Sequence, residues 1–343
     1  MARLTIRDIA RMSGLSKSTV SLVLNNSPRV DPATRERVLE LMRQHNYVPN
    51  YAATALARGN TRLIGMIVPG LTWRLVAAIN YGVASVVEGS EYEIILYTST
   101  NDRNYDRVIE RILASKLSAG LLVVTHNQPL EPLEKLHRDG LPVVLVDTLA
   151  THADLPAIVT DNYGGAHAAV RHLLELGHRR IACVEGLMEY PCCQERTRGY
   201  TDALAEAGIS HRPELVQAGG FSAETVADST RALLSLPKRR RPTAVFAHSD
   251  ITAYAVMETV EDSGLKVPDD ISVVGFDDLA SSEHVRPALT TVRQPFEEMG
   301  RQAAELLFAT IEGGPGETEA SRQPPRLSLP TSLIVRDSTS TVA

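Results

Sequence analysis

From Ile64 onward, short and mostly apolar runs alternate with amphipathic segments of helix length, and this alternation limits the possible folds more than any other feature. The runs are Ile64–Val68, Glu93–Tyr97, Gly120–Val124, Val143–Val146, Ile181–Val184, Ala244–Ala247 and Ile271–Gly275. Their continuous apolar character is that of strands covered on both faces. Between them, Ala77–Val87, Tyr105–Lys116, Gly164–Leu176, Thr197–Ala207, Thr225–Leu236 and Ala253–Ser263 carry helical spacing. The repetition predicts an α/β body of parallel sheet, and a break near Asp161 divides it into two doubly wound lobes.

Charge separates this body from what precedes it. The chain has 343 residues, with 35 Lys/Arg and 41 Asp/Glu; the first 62 hold ten basic and four acidic residues, which leaves 25 and 37 for the remainder. A head of +6 on a body of −12 suits a protein that brings only one end to phosphate. Hydrophobic residues at 43% and charged residues at 22% fit a folded protein of two or three domains.

Several classes of function are disfavoured. Three cysteines, two of them adjacent (Cys192, Cys193), supply neither a disulfide framework nor a metal pair and point to a reducing compartment. The N-terminus lacks the apolar core of a signal peptide, and no run approaches the ~20 residues that span a bilayer, so a cytoplasmic protein is expected. No P-loop, nucleophile–base spacing or metal-ligand cluster stands out, so neither an enzyme nor a cofactor or metal is expected.

The head divides into three helices. Thr5 and Asp8 are spaced as a capping box, with Ile6, Ile9 and Ala10 on one face and Gly14 as the stop. Ser16 caps a second helix from Lys17 to about Leu24. Its Val20, Val23 and Leu24 point inward, while Lys17, Ser18, Ser21 and Leu22 point outward. Asp31-Pro32 opens a third helix whose Val38, Leu41 and Met42 close a small core with Tyr47. This is helix-turn-helix spacing, and the start of the second helix is the segment that fits a major groove. Lys17 and Ser18 are its base-edge candidates, with Ser16, Thr19 and Ser21 nearer phosphate. A three-helix packing module with a solvated basic face has the same pattern. After the extended link at Tyr47–Asn50, the alanine-rich stretch from Tyr51 to Gly59 is too short to be a stable helix alone. Leu56 is its candidate wedge between base steps, and Ala52, Ala53 and Ala57 allow close approach; an ordinary linker is the other reading.

Taken together, Thr5-Ile-Arg-Asp-Ile-Ala10, Gly14-Leu-Ser16, Thr19-Val-Ser21, Val23-Leu-Asn25, Val30, Thr34-Arg-Glu-Arg-Val38, Tyr47-Val-Pro-Asn50 and Ile64-Gly65 are similar to the head of the lactose-repressor (LacI/GalR) family of bacterial transcription regulators. The resemblance implies a second helix in the major groove, a hinge leucine in the minor groove and a dimer on palindromic double-stranded DNA. It makes Lys17, Ser18 and Leu22 base-facing and Leu56 the wedge. Thr5, Ser16, Thr19, Ser21, Asn25, Val30, Thr34, Tyr47, Asn50, Ala53 and Ala57 complete the candidate contact set. Leu22 stands where the family commonly has arginine, and leucine offers no bidentate bond to guanine.

The same resemblance gives the body the two-lobed form of periplasmic sugar-binding proteins. The expected domains are 1–48 for the helix-turn-helix, 49–61 for the hinge and 62–343 for effector binding and dimerisation. The N-lobe takes about 62–160 and 290–322, and the C-lobe takes about 161–289 and 323–343.

Ligands of open parallel sheets bind beyond the carboxyl ends of the strands. There stand Trp73, Thr125, His126, Asp147, Glu185, Ser249, Asp250 and Asp277, a mixture of carboxylates, hydroxyls and an indole that suits a polyhydroxylated ligand. Taken singly, a strand-end Asp is more often a helix cap, and Trp73 is as well suited to a core or an interface as to a ligand. The resemblance selects Arg196, in Gln194-Glu-Arg196-Thr-Arg-Gly199-Tyr200, and Asp277, in Val273-Val-Gly-Phe-Asp277-Asp278, as effector ligands, with Phe221 as a stacking aromatic. The candidate effector set is thus Trp73, Thr125, Asp147, Arg196, Phe221, Ser249 and Asp277. Ser249-Asp250 departs from the family's more usual Asn-Asp.

The vicinal cysteines near Arg196 are either cleft lining or small apolar filler, and Lys238-Arg-Arg-Arg241 is a solvated loop or a second nucleic-acid patch. A homodimeric or tetrameric, nucleoid-associated repressor of carbohydrate genes, released by a small sugar, is the reading that results. A purine- or nucleoside-responsive regulator, or a binding protein without an operator, are its alternatives. Inducer and corepressor action are both open.

Overall fold

The computed structural model describes residues 4–24, 27–47, 61–70, 74–98, 102–124, 130–148, 154–220, 222–313 and 325–342. The chain forms two units, Met1–Arg62 and Leu63–Ala343.

The first unit contains helices α1 (Ile6–Ser13), α2 (Lys17–Leu24) and α3 (Pro32–Gln44). Asp8 secures the start of α1 by accepting from the Thr5 amide at 3.0 Å and from the Thr5 hydroxyl at 2.7 Å, and these bonds hold its carboxyl below the usual range. Gly14 ends α1 with φ 69°, the left-handed conformation that glycine adopts without a Cβ penalty. Ser16 caps α2 by accepting from the Thr19 amide at 3.0 Å, and Asp31 caps α3 by accepting from Thr34 at 2.9 Å, with Pro32 at the first helical position. Ile9, Ala10, Val20, Val23, Val30, Val38 and Met42 make the core that these caps orient.

The second unit holds two six-stranded sheets. Strands β1 (Leu63–Val68), β2 (Glu93–Thr98), β3 (Ser118–Val124), β4 (Val143–Val146), β5 (Ala157–Thr160) and β11 (Arg326–Leu329) form one sheet, in the order β11-β5-β4-β3-β1-β2. Strands β6 (Ile181–Glu185), β7 (Val216–Ala218), β8 (Ala244–Ala247), β9 (Ser272–Asp277), β10 (Thr290–Arg293) and β12 (Ser332–Ile334) form the other, in the order β12-β10-β9-β8-β6-β7. Among these paired strands, β12 alone runs antiparallel to its neighbour, β10. The apolar runs serve two cores at once: Leu122 and Val124 pack into one cluster and Leu121 and Val123 into another, as the period of two requires.

Helices α4 (Arg74–Val87) and α11 (Phe296–Gly313) cover one face of the first sheet, with α5 (Asp102–Ser115) and α6 (Glu131–Arg138) on the other. The second sheet lies between α7 (Asn162–Glu175) with α8 (Pro191–Glu206) and α9 (Ala223–Leu234) with α10 (Asp250–Asp262). Helices α6 and α11 lie outside the expected helix set, although Phe296, Met299, Ala303 and Leu307 have plain helical spacing. Helix α4 meets α11 through two glycines. A Cβ on Gly82 would collide with the Glu297 carbonyl, and one on Gly300 with the Ile79 carbonyl.

The chain crosses between sheets at Asp161, at Gln294-Pro295 and at Pro330-Thr331. The first crossing lies at the expected break. The second and third lie a few residues beyond the approximate bounds 290 and 322, because Thr290–Arg293 still pairs with β9 and Arg326–Leu329 with β5. Two crossings touch, because the Asp161 amide donates to the Leu329 carbonyl at 2.9 Å and the Thr331 hydroxyl to the Asp161 carbonyl at 3.3 Å. No helix among the described residues is long and apolar enough to cross a membrane.

Candidate effector site and DNA-reading head

The centre of the body's candidate site is Arg196, on the second turn of α8 and only 7% exposed. Its Nε donates to Asn162 Oδ1 at 2.8 Å, its Nη1 to the His248 backbone carbonyl, and its guanidinium carbon lies 3.7 Å from the centroid of the Phe276 ring. A planar cation over an aromatic face with two of its edges hydrogen-bonded has little rotational freedom left. The remaining nitrogen, Nη2, is 3.7 Å from Asp277 Oδ1.

Asp277 ends β9. Burial pushes its carboxyl up, against the pull of Arg196 and of the Gln294 amide, which donates to it at 2.7 Å. Its φ of 120° is a conformation that residues with a Cβ rarely adopt, and Asp147, at the end of β4, has φ 56°. Both strand-end carboxylates of the expected set are therefore held in unusual backbone, which is where fixed binding geometry tends to be built.

Below this pair lies a second, fully buried carboxylate. Asp250 accepts from the Leu279 amide at 2.7 Å, from the Ser282 hydroxyl at 2.6 Å and from the Thr291 hydroxyl. Burial, aided by the nearby Asp277 charge, pushes it up to about 7. It fits because residue 275 is glycine: a Cβ there would stand 2.5 Å from Asp250 Oδ1. Ser249 is buried as the cap of α10, accepting from the Thr252 amide at 3.2 Å, so its side chain serves the helix.

Sequence reasoning missed three neighbours. His248 is completely buried and accepts the Gly186 amide on Nδ1 at 3.1 Å. This leaves Nε2 to donate to Cys183 Sγ at 3.4 Å, while burial and Arg196 push its basicity down to about 3. Asn162 orients Arg196 from the first crossing. Gln294, on the second, has an Oε1 that is buried without a hydrogen-bond partner. These residues stand in no motif that marks a ligand contact, and they serve the site through orientation. Trp73, Thr125, His126 and Phe221 lie outside the described residues. No cluster able to hold a metal ion occurs among the described residues.

In the head, Thr5, Ser16, Lys17 and Ser18 are exposed, and Thr19, Ser21, Thr34 and Tyr47 are partly buried. The Ser16 hydroxyl is within hydrogen-bond distance of Ser18 at 2.7 Å and Thr19 at 2.8 Å. Two expectations need correction. Val30 is 8% exposed, so its side chain belongs to the core and not to the outer face. Leu22 leans against that core, half-buried, instead of standing free on the outer face; an eight-residue helix over a small core uses most of its apolar side chains for packing. Asn25, Asn50, Ala53, Leu56 and Ala57 lie outside the described residues.

Residues 5–50 match the family model "Bacterial regulatory proteins, lacI family", and residues 170–339 match "Periplasmic binding protein-like domain". The repressor PurR of Aliivibrio fischeri (strain MJ11) is 33% identical over 335 residues, 97% of this chain and 99% of its own length. The chain belongs to the lacI family. It is a DNA-binding transcriptional repressor, not an enzyme. The repressor CytR of Escherichia coli (strain K12) is 32% identical, with 90% of each chain covered. Among solved structures, the Lac repressor dimer bound to operator and the anti-inducer ONPF superimposes with a TM-score of 0.85 at 26% identity, covering 99% of this lacI-family chain and 100% of that one. A transcriptional regulator CelR–cellobiose complex gives 0.73 at 32% identity, covering 98% and 100%.

Proposed function

We propose that this lacI-family protein binds a palindromic operator as a dimer and that a small sugar, held between Arg196 and Asp277, releases it. The observation that carries the reading is the clamped Arg196 with Nη2 left toward Asp277, a donor beside an acceptor. Vicinal hydroxyls satisfy both, one accepting from the guanidinium and one donating to the carboxylate. Asp147, from the other lobe, supplies a further acceptor. The neighbour solved with cellobiose, alike along nearly the whole chain, supports a carbohydrate. A purine or nucleoside effector is the second reading, favoured by the likeness to repressors named PurR and CytR.

The proposed division is residues 1–48 as reader, 49–61 as hinge and 62–343 as effector and dimerisation body, acting at the bacterial nucleoid. Lys17 and Ser18 read base edges, and Leu56 wedges the minor groove. Lobe closure and operator binding are linked through the hinge, so each ligand weakens the other.

Selection from random DNA tests the reader: enrichment of a palindrome is expected, and none would sink it. Calorimetric titration with cellobiose, ribose, purines and nucleosides tests the cleft: the reading expects a sugar to bind the native protein and not Asp277→Ala combined with Arg196→Ala. Leu56→Ala should weaken operator binding and leave effector affinity unchanged.

A further inference from the structure

Cys192 and Cys193 lie in the first turn of α8, directly after Pro191 and one turn ahead of Arg196. Cys193 is 1% exposed, whereas Cys192 is only partly buried. The two thiols stand on adjacent residues, Cys192 one turn before Arg196 on the same side of the helix, and the charged groups that act on Cys192 are Arg196 and Asp277 from one lobe and Asp147 from the other. Its sulfur thus faces the cleft, and Cys193 stands behind it.

Hydrogen bonding from Cys193, helped by the Arg196 guanidinium, draws the Cys192 thiol below its ordinary range against the opposing effects of burial and the two carboxylates. The start of a helix favours a thiolate in the same sense. Cys193 is pushed the other way by its bond to Cys192 and by burial. Cys192, the more exposed of the two, is the thiol that a solute in the cleft can reach, and the buried Cys193 beside it is the resolving thiol. The remaining cysteine, Cys183, is fully buried beside His248, and burial raises its thiol.

We propose that Cys192 is an oxidation site within the cleft, where its thiolate reacts with hydrogen peroxide and Cys193 then closes a vicinal disulfide. The Cys192 sulfur takes one peroxide oxygen as the O–O bond breaks, and the hydroxide that leaves is protonated to water. Cys193 gives up its proton and attacks the Cys192 sulfenic acid; the S–S bond forms and the sulfenic oxygen departs as a second water. Two thiols and one peroxide become one disulfide and two waters, with the electrons lost by sulfur reducing the peroxide.

The bond is reversible for a geometric reason. Neighbouring Cα atoms are ~3.8 Å apart, closer than the ~4.4–6.8 Å of ordinary disulfides, so the ring is strained and readily reduced. Closing it also pulls the first turn of α8 out of helical geometry. The bonds from the Cys193 and Gln194 amides to the Tyr190 carbonyl, at 3.0 Å and 3.3 Å, are the ones at stake.

The test uses the reduced full chain and hydrogen peroxide, read by intact mass, peptide mapping and hydrogen exchange. The expected product has lost two hydrogens at Cys192-Cys193, keeps Cys183 alkylatable, regains both thiols with dithiothreitol, and exchanges faster over residues 191–197. Cys193→Ser should stop at a Cys192 sulfenic acid that dimedone traps, and Cys192→Ser should not react. The proposal is overturned if the native protein loses thiols no faster than Cys192→Ser, if the bond forms elsewhere, or if exchange over 191–197 is unchanged. None of these readouts depends on which effector the cleft takes.

Discussion

Arg196 and Asp277 face each other at 3.7 Å, with the arginine held on its other edges by Asn162 and His248 and the aspartate by Gln294. A pair set this far apart in a buried site leaves hydrogen-bonding capacity on both groups. The Gln294 amide on one crossing and Asn162 beside another connect the pair to two of the segments that join the two sheets.

Arg196→Lys keeps the charge but loses the Nε bond to Asn162 and the planar stacking on Phe276. The variant should unfold about 1–3 kcal/mol more easily, in the range of a broken buried charge-assisted hydrogen bond. It should also lose the effector response while keeping operator affinity. Urea unfolding and a gel shift measure the two effects; a variant that still responds would move effector recognition away from Arg196.

Asp250 gives stability a pH dependence. Its folded carboxyl is raised to about 7, so between the ordinary carboxylate range and neutrality the folded state binds more protons than the unfolded chain, and stability from this group falls as pH rises. His248 acts in the opposite sense, because its lowered folded value makes stability rise with pH from about 3 to its ordinary range. Asp250→Asn isolates the first effect: the stability difference between native and variant should shrink as pH rises from ~4 to ~7. A constant difference would contradict it.

Much of this was legible because periodicity and short motifs are local. The runs at Val143–Val146 and Ala244–Ala247 match strands residue for residue, and Arg196 and Asp277 are both brought to the carboxyl edge of the second sheet. What was not legible depends on partners distant in sequence. Val30 reads as a loop residue until three helices close over it, and His248 becomes a support for Arg196 only when β8 ends beside α8. Strands β7, β10 and β11 mix polar with apolar residues over three or four positions and lack the continuous apolar run that marks β4 and β8, so neighbouring strands define them.

Val38 is fully buried at the centre of the head's small core. Val38→Ala removes roughly two methylene equivalents and should cost about 1.5–3 kcal/mol there. Operator binding should fail at a lower temperature while calorimetric effector affinity stays native. Equal loss of both would show that the units do not fold separately.

Gly300 permits α4 and α11 to approach each other, and any Cβ meets the Ile79 carbonyl. Gly300→Val should destabilise the body by about 1–3 kcal/mol or more through forced separation of the helices. A native unfolding midpoint would mean that the helices can part without cost.

The most direct measurement is the full thermodynamic cycle: operator dissociation constants with and without saturating effector, and effector dissociation constants with and without saturating operator. One coupling factor is expected, ~5–150-fold and equal in both directions, falling to unity in Arg196→Lys. Effector binding that leaves operator affinity unchanged would contradict it.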